Sequence, residues 1–338
     1  MVKRIVLVLF LCVIVQGALT EPLAAQNNNC FALQTLWPLL DPIPLGWWYF
    51  GPAGPWAADY AAWKAACPVP NGKTETCPRC PSGGQPISLA TGNTFIDQTD
   101  LKIPGLGGGL SLARTWNSAW PASQSTFQVG IFGPNWRSTY EERILMGLDN
   151  YIKYSRSDGS FWSFGLGSSS WVVAAPSNVS ATLTTDTSVN PYYVLTFQNG
   201  EKRRFDKTTG NLIAIIDRNG NTTTVAYDSS GRLSTVTDAA SRTLTFTYGS
   251  TGNLVTAVSS SVGISLSYAY DAQGRLSQVT EPDLSTLNFS YNSQSLITSV
   301  TDSNGKVLES HTYDSQLRGL TSTRAGGVEA LTITYPNP

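Results

Sequence analysis

The second half of the chain carries an alternation of apolar and polar residues that recurs about every 22 residues. Each copy ends a β-type stretch on an aromatic residue, passes through a polar turn with a glycine, and continues with Leu and a β-branched residue. Because period-two alternation interrupted by a turn is typical of a β-hairpin, the repeat predicts six tandem hairpins. The aromatic anchors, which we predict to be structural, are Phe205, Tyr227, Tyr248, Tyr270, Tyr291, Tyr313 and Tyr335.

The turn of each copy combines residues that favour chain reversal. Two copies are nearly the same, Tyr227-Asp-Ser-Ser-Gly-Arg-Leu-Ser-Thr-Val236 and Tyr270-Asp-Ala-Gln-Gly-Arg-Leu-Ser-Gln-Val279. Asp and Ser accept backbone hydrogen bonds, Gly adopts a positive φ, and Leu with Val is expected to resume the period-two alternation. Because one hairpin cannot bury its apolar face, the copies are predicted to pair edge to edge into one curved sheet. Second turns then return the chain, at Asp217, Asp238 and Asp302.

The stretch from Ile87 to Phe205 also has the pattern of β-strands, with short runs of β-branched and aromatic residues between Gly, Asn, Asp and Pro clusters. A Gly-rich run at 105–109 is expected to be a turn, since no Lys-Ser or Lys-Thr follows it as in a phosphate loop. The fold class is therefore predicted as all-β, with an N-terminal β-rich domain followed by the curved hairpin sheet. The predicted domains are a signal peptide at 1–25, a Trp/Pro-rich region at 26–83, a β-rich domain at 84–204 and the repeats at 205–338.

The first residues have the pattern of a Sec-type signal peptide. Lys3 and Arg4 precede an uncharged apolar run, Ile5–Val15, and small residues around Ala18 and Ala25 offer two cleavage positions. The run is shorter than the roughly 20 residues that cross a bilayer, which favours cleavage over the alternative of a membrane anchor. The sequence therefore predicts a secreted or cell-surface protein with no membrane span after signal cleavage.

Four cysteines remain after the signal peptide, all within the first quarter of the chain. An even number in an exported chain favours two disulfides, and three pairings are possible. The Cys77-Pro-Arg-Cys80 spacing also suits a zinc or redox site, although the Pro and Gly residues that follow it are not those of a helix start. Metal binding and redox chemistry therefore stay open beside the favoured disulfides. The candidate disulfide cysteines are Cys30, Cys67, Cys77 and Cys80.

Tryptophans are concentrated in the same N-terminal region, among prolines and glycines. Trp47 and Trp48 are candidates for stacking on sugar rings, which would make a glycan or a cell surface a partner. The alternative is that they build the core of a small disulfide-tied region, since such a region needs large side chains to bury any surface. A short helix is predicted at 57–66, where Ala dominates and Pro68 ends it.

The remaining composition excludes some partners and chemistries. Only 13% of residues are charged and the net charge is -1, so nucleic acid is not an expected partner. His311 is the single histidine and lies in a degenerate late copy of the repeat. We therefore exclude a histidine-dependent catalytic triad and a metal site with several histidines, and expect His311 on a strand surface. Glu141 and Glu142 are adjacent, and neighbours in a strand point to opposite faces. We expect one to pair with Arg137 or Arg143 and the other to face solvent.

The repeat aspartates are expected to form turns, because they recur with the turn glycine and lack the clustered acidic ligands of a calcium site. They are Asp206, Asp228, Asp271 and Asp314. Arg232 and Arg275 are expected to make structural pairs. We therefore predict no catalytic, cofactor-binding or metal-binding residue, no cofactor, and a protein that is not an enzyme.

The repeat resembles the tyrosine-aspartate (YD) repeat of the Rhs proteins, whose hallmark is Tyr-Asp-x-x-Gly-Arg-Leu-x-x-Val. The copies that begin at Tyr227 and Tyr270 match it fully. The preceding stretch resembles the domain that Rhs proteins carry ahead of their repeats. The segments that carry this second resemblance are Gly84–Asn93, Thr99–Leu101, Arg114–Asn117, Gly133–Trp136 and Tyr140–Arg143.

The resemblance implies a β-shell scaffold segment of an exported polymorphic-toxin-type protein, with a toxin payload or further repeats as its partners. In that family the repeats wind into a spiral shell around a C-terminal payload. The chain stops on its seventh anchor, and we expect it to be a truncated piece of such a protein. The alternative function is a cell-surface carbohydrate-binding or adhesive module.

Overall fold

A computed structural model describes residues 82–83, 87–89, 91–118, 129–146, 151–166, 170–175, 179–186, 192–250 and 252–335. In these ranges the chain forms 26 β-strands and two short 3-10 turns, without an α-helix. The prediction of an all-β fold is confirmed. Several predictions lie outside the described residues: the signal peptide, the four cysteines, Trp47, Trp48 and the helix at 57–66.

The N-terminal strands form three small antiparallel sheets. Strand β3 pairs with β4, and β4 with β7, while β1–β2 and β5–β6 are two-stranded pairs. The Gly-rich run makes the 3-10 turn Leu106–Gly108 just before β4, which confirms the predicted turn. The strands are β1 Ser82–Gly83, β2 Ile87–Ser88, β3 Phe95–Ile103, β4 Leu110–Asn117, β5 Val129–Gly130, β6 Gly133–Pro134 and β7 Trp136–Ser138. We call residues 87–89, 91–118 and 129–142 the covering layer.

The rest of the described chain is one antiparallel sheet of 19 strands, each paired with the next along the sequence. Strand β14 crosses the predicted domain boundary at 204, and that boundary stays a prediction. The strands are β8 Arg143–Met146, β9 Ile152–Ser155, β10 Phe161–Leu166, β11 Trp171–Ala175, β12 Ala181–Asp186, β13 Tyr192–Phe197, β14 Lys202–Asp206, β15 Leu212–Ile216, β16 Thr222–Tyr227, β17 Leu233–Thr237, β18 Thr243–Tyr248, β19 Val255–Ser260, β20 Ser265–Tyr270, β21 Leu276–Thr280, β22 Thr286–Tyr291, β23 Ile297–Thr301, β24 Val307–Tyr313, β25 Gly319–Arg324 and β26 Leu331–Thr332.

The sheet curves until its first strand meets the first repeat turn, seven strands further along. Arg143 in β8 forms an isolated antiparallel bridge with Asn211. The Ile144 amide donates to the Gly210 carbonyl at 2.9 Å. Gly210 has a φ of +72°, and a Cβ there would lie 2.1 Å from the Ile144 carbonyl oxygen. Only glycine therefore allows this closure.

A β-bulge recurs in every repeat where the aromatic anchor pairs with the first residue of the return strand. Ala226 pairs with Thr235 but Tyr227 pairs with Leu233, so one residue of β17 is left over. The bulge turns Leu233 and Val236 to the same buried face although they are three residues apart. The expected strict period of two in the return strand is therefore wrong. In a regular strand, residues three positions apart point to opposite faces, and the extra residue of the bulge places both side chains on the buried face. The bulge also occurs at Phe205, Tyr248, Tyr270, Tyr291 and Tyr313.

The core lies between the repeat sheet and the covering layer. We call the sheet face that meets this layer the inner face. Two ring contacts join the layers, Phe132 to Tyr268 at 4.7 Å and Trp136 to Phe289 at 5.4 Å between centroids. On the outer face many of the alternate positions are hydroxyl residues, as at Thr245 in β18. The sheet therefore has one apolar face and one polar face, as antiparallel sheets commonly do.

Leu284 occupies a repeat-turn position whose backbone conformation disfavours leucine. Leu284 has a φ of +68° and is 80% exposed, at a place where other repeats have glycine, for example Gly263 at +85°. Because Leu284 makes little packing contact, Leu284→Gly is expected to raise the free energy of unfolding by about 0.5–1 kcal/mol. Urea unfolding measures the change, with Gly263→Ala as the control, which should shift stability in the opposite direction. A loss of stability in Leu284→Gly would contradict the strain argument.

Candidate functional site

The repeat tyrosines form a row in which each hydroxyl donates to a backbone carbonyl of the preceding repeat. Backbone pairing of β17 with β18 runs only from Thr235 to Thr237, so the Leu233 carbonyl lies beyond it. The Tyr248 hydroxyl supplies the missing donor. This row links each hairpin to the one before it. The bonds are Tyr227 to Leu212 (2.9 Å), Tyr248 to Leu233 (2.8 Å), Tyr270 to Val255 (2.7 Å), Tyr291 to Leu276 (2.7 Å), Tyr313 to Ile297 (2.7 Å) and Tyr335 to Gly319 (2.8 Å).

Removing one hydroxyl from this row tests its contribution. Tyr270→Phe keeps the ring but leaves the Val255 carbonyl without its donor, and is expected to lower the free energy of unfolding by about 1–2 kcal/mol. Burial raises the pKa of Tyr270 above its ordinary value, so the phenol stays a donor at neutral pH. Tyr151→Phe is the control, because Tyr151 is 40% exposed and should lose less than about 0.5 kcal/mol. Equal losses in the two variants would mean that the row adds nothing.

The Asp and Arg of the repeat are partners within one turn. Asp228 accepts from the Ser230 and Arg232 amides at 2.9 Å each, and these bonds lower its pKa. Its second oxygen accepts from the Arg232 guanidinium, which stacks over the Tyr248 ring of the next repeat at 4.6 Å. The turn therefore also helps to join neighbouring hairpins. The same arrangement occurs for Asp271, Arg275 and Tyr291, and for Asp314, Arg318 and Tyr335.

A buried ion pair within the covering layer is bonded to the repeat sheet through Tyr268. Asp100 in β3 binds Arg114 in β4 through two oxygens, with a 2.7 Å bond between Nη2 and Oδ1. The Tyr268 hydroxyl donates to the same carboxylate at 2.8 Å. Burial lowers the pKa of Arg114, but the charge and hydrogen bonds of Asp100 outweigh it and raise the pKa overall. The guanidinium also lies over the rings of Phe132 and Trp136, at 5.5 and 4.6 Å.

The two adjacent glutamates are placed differently from the sequence prediction. They precede β8 rather than lying in a strand, and Glu142 is buried instead of facing solvent. Glu142 accepts from the Tyr154 hydroxyl at 2.7 Å and from Arg203 at 3.2 Å. Burial raises its pKa, against the effect of both donors. The expectation of a solvent-facing glutamate is therefore wrong, because Arg203 binds Glu142. Arg203 lies in β14, 61 residues further along the chain.

Its neighbour Glu141 also has partners. It accepts from the Ile131 amide at 2.8 Å and from the Ser138 hydroxyl at 2.7 Å. Burial raises its pKa, while the nearby charge of Arg137 acts in the opposite direction. Both carboxylates are thus engaged in fixing the loops around β7 and β8 rather than facing one another across a cleft.

His311 lies on strand β24, as predicted, but it is buried rather than exposed. Its Nε2 is 3.4 Å from Glu309, and its register partner in β25 is Ser322, which is also buried. The prediction of a surface histidine is wrong because His311 occupies the inner-face position held by Tyr268 in an earlier repeat. In the described ranges no group of three or more His, Cys, Asp or Glu is placed to hold a metal ion.

Sequence reasoning missed the Asp100–Arg114–Tyr268 cluster. A signal was present, since Arg114 interrupts an apolar strand and Asp100 stands in the strand before it. It could not show that the two align across the β3–β4 pair, where a register shift between Thr99 and Leu101 sets the position of Asp100. Among the described residues no helix has the length and apolar character of a membrane span.

Part of the chain is similar in sequence to curated proteins. The chain is 26% identical over 152 residues to the tRNA nuclease WapA of Bacillus subtilis and to the tRNA3(Ser)-specific nuclease WapA of Bacillus spizizenii. The matched part is 45% of this chain but only 6% of each relative, so the chain spans a small fraction of these proteins.

Solved structures of toxin complexes also match at low similarity. TcdB2-TccC3-TEV is 13% identical, with a TM-score of 0.27 over 68% of this chain and 14% of that one. The Tc holotoxin pore of Photorhabdus luminescens is 18% identical, with a TM-score of 0.28 over 69% and 12%.

Two family models cover most of the described residues. A domain of unknown function, DUF6531, matches residues 84–164, and the Teneurin YD-shell model matches residues 153–322, which is half of the chain. The second match spans the strands that carry the tyrosine row, and its repeats are those whose hallmark the sequence shows in full at Tyr227 and Tyr270. The chain therefore belongs to the Teneurin YD-shell family, among the Rhs-type YD-repeat proteins.

Proposed function

We propose that this chain is an exported, non-catalytic wall segment of a polymorphic-toxin-type Rhs protein. One observation carries the proposal: the repeats form an unbroken antiparallel sheet in which side chains bond each hairpin to the next. A sheet of this kind grows by adding hairpins and can enclose a volume. The alternative carbohydrate-binding function rests on Trp47 and Trp48, which lie outside the described residues.

The first test concerns export. Residues 1–25 fused to an alkaline phosphatase without its own signal should yield active enzyme outside the cytoplasm, because that enzyme needs an oxidising compartment for its disulfides. The matched control carries Leu9→Arg, which places a charge in the apolar run and should keep the reporter inactive in the cytoplasm. Equal activity of the two fusions, or none from either, would contradict the proposed export.

The second test concerns catalysis. The full chain incubated with total tRNA should leave the tRNA intact, although the matched relatives are named tRNA nucleases. We place nuclease activity in parts of those relatives outside the 6% that this chain matches. Cleavage that rises with protein concentration, and that falls in Glu142→Gln, would contradict the non-catalytic assignment and make the buried glutamate a candidate catalytic residue.

The third test concerns the partner. Further repeats or a toxin payload are the proposed partners, encoded in the same reading frame or in an adjacent gene. Co-expression of that product with this chain should protect it from proteinase K, while the product alone should be digested. Digestion at the same rate with and without this chain would contradict an enclosing role.

A further inference from the structure

The covering layer runs along the row of repeat tyrosines. Its Tyr140 ring lies 6.4 Å from the Phe246 ring, two residues before Tyr248. Gly133 packs against the Tyr270 ring, where a Cβ on the glycine would lie 3.7 Å from a ring carbon. The pattern continues to the end of the described repeats, with Trp136 beside the Tyr291 hydroxyl, Thr94 beside the Tyr313 hydroxyl, and Gly92 beside the Tyr335 hydroxyl.

Backbone hydrogen bonds fix the layer at both ends and in the middle. At one end the Ile144 amide, next to the layer, donates to Gly210 at 2.9 Å. In the middle the Val255 amide donates to the Ile131 carbonyl at 2.8 Å, and at the far end the Gly319 amide donates to the Gly92 carbonyl at 2.8 Å. The layer is therefore held in register with the third and sixth repeats, and β8, which continues from it, is held in register with the first.

The sixth repeat differs from the others at the position where it contacts the covering layer. Gly319 stands where β17 has Leu233, and a Cβ on it would lie 2.3 Å from the Thr94 hydroxyl and 3.0 Å from Ile87 Cδ1. Ile87 and Thr94 thus occupy the space that a leucine side chain fills elsewhere. The repeat sequence is fitted to the layer at this point, rather than the layer simply lying on a uniform surface.

These contacts change the expected cooperativity of the array. In an ordinary repeat protein each unit contacts only its neighbours, so units can open separately. Here the repeat tyrosines from Tyr270 to Tyr335 also lie against a common second layer, and a hairpin without it leaves its inner apolar face in water. We propose that the covering layer is an internal folding template on which the six repeats between Phe205 and Tyr335 acquire stable pairing and register.

The order of folding tests this proposal in the unaltered full chain. Pulsed hydrogen–deuterium exchange during refolding should show amides of β3 and β4 protected no later than those of β18 to β23. If the covering layer is a template, it must fold before the repeats that pack on it, or together with them. Full protection of β18 to β23 while β3 and β4 still exchange freely would overturn the proposal, whatever the behaviour of any variant.

A matched pair of variants provides a second measurement on the native protein. Gly319→Ala pushes a methyl group into Thr94 and is expected to lower amide protection at least tenfold across β22 to β25, beyond the repeat that carries it. Gly263→Ala is the control, because a Cβ there meets nothing within 4 Å and only its own turn should respond. Adding Thr94→Ala to Gly319→Ala should recover part of the protection. Loss confined to β24 and β25 would overturn the template and favour independent repeats.

Discussion

Asp100→Ala is expected to lower the free energy of unfolding by about 3–5 kcal/mol, the largest loss for a single carboxylate in the described structure. The side chains of Asp100 and Arg114 are 1% and 0% exposed. Removing the carboxylate leaves the guanidinium charged, buried and without its partner, and the Tyr268 hydroxyl loses its acceptor as well. Urea unfolding followed by far-ultraviolet circular dichroism measures the loss.

The matched control is Glu329→Ala. Glu329 also pairs with an arginine, Arg324 at 3.1 Å, but the two side chains are 55% and 51% exposed. Water screens this pair, so its loss should cost less than about 1 kcal/mol. The double variant Asp100→Ala with Arg114→Met should be more stable than Asp100→Ala alone, because no charge is left buried. Similar losses for Asp100→Ala and Glu329→Ala would show that the buried pair does not connect the two layers.

Trp136→Ala is expected to cost about 3–5 kcal/mol, the range for deleting a large buried aromatic side chain. Trp136 is fully buried in β7, contacts Phe289 edge to face, and carries the Arg114 guanidinium over its ring. Truncation leaves a cavity between the covering layer and the repeat sheet. Urea unfolding at one protein concentration measures the change in stability.

Two comparisons make this prediction specific. Trp136→Phe should lose less than Trp136→Ala, since a smaller ring keeps part of the contact with Phe289. Trp171→Ala removes the same side chain from the half-buried strand β11 and should also cost less. If Trp171→Ala proves as costly as Trp136→Ala, the junction between the layers is not where the stability is concentrated.

Local chemistry explains why the sequence predicted the repeats so well. An Asp-x-x-Gly-Arg turn closes through bonds between residues two to four apart, such as Ser230 and Arg232 to Asp228, and these form wherever the segment is placed. The turn then fixes which strands follow one another. The all-β fold, the hairpin pairs and the YD-repeat family were accessible for this reason.

The candidate site was less accessible, because its residues have no local signature. One of Glu141 and Glu142 was expected to face solvent, yet Glu142 is buried and binds Arg203, 61 residues later. His311 was expected on the surface, yet it fills a core position. In each case the side chain follows a partner from another element, and the sequence pattern around the residue does not reveal that partner.

The sequence by itself thus determined the hairpin unit, its turn, its period and the pairing of each strand with the next. Only the tertiary structure decided that the inner face is covered, and by which residues. The bulge that turns Leu233 and Val236 to one side depends on how β17 pairs with β16. The hydrogen bond from Tyr268 to Asp100 joins positions 168 residues apart. Hydrogen bonds between residues a few positions apart follow from the local sequence. The burial of a side chain depends instead on which distant part of the chain packs on it and excludes water.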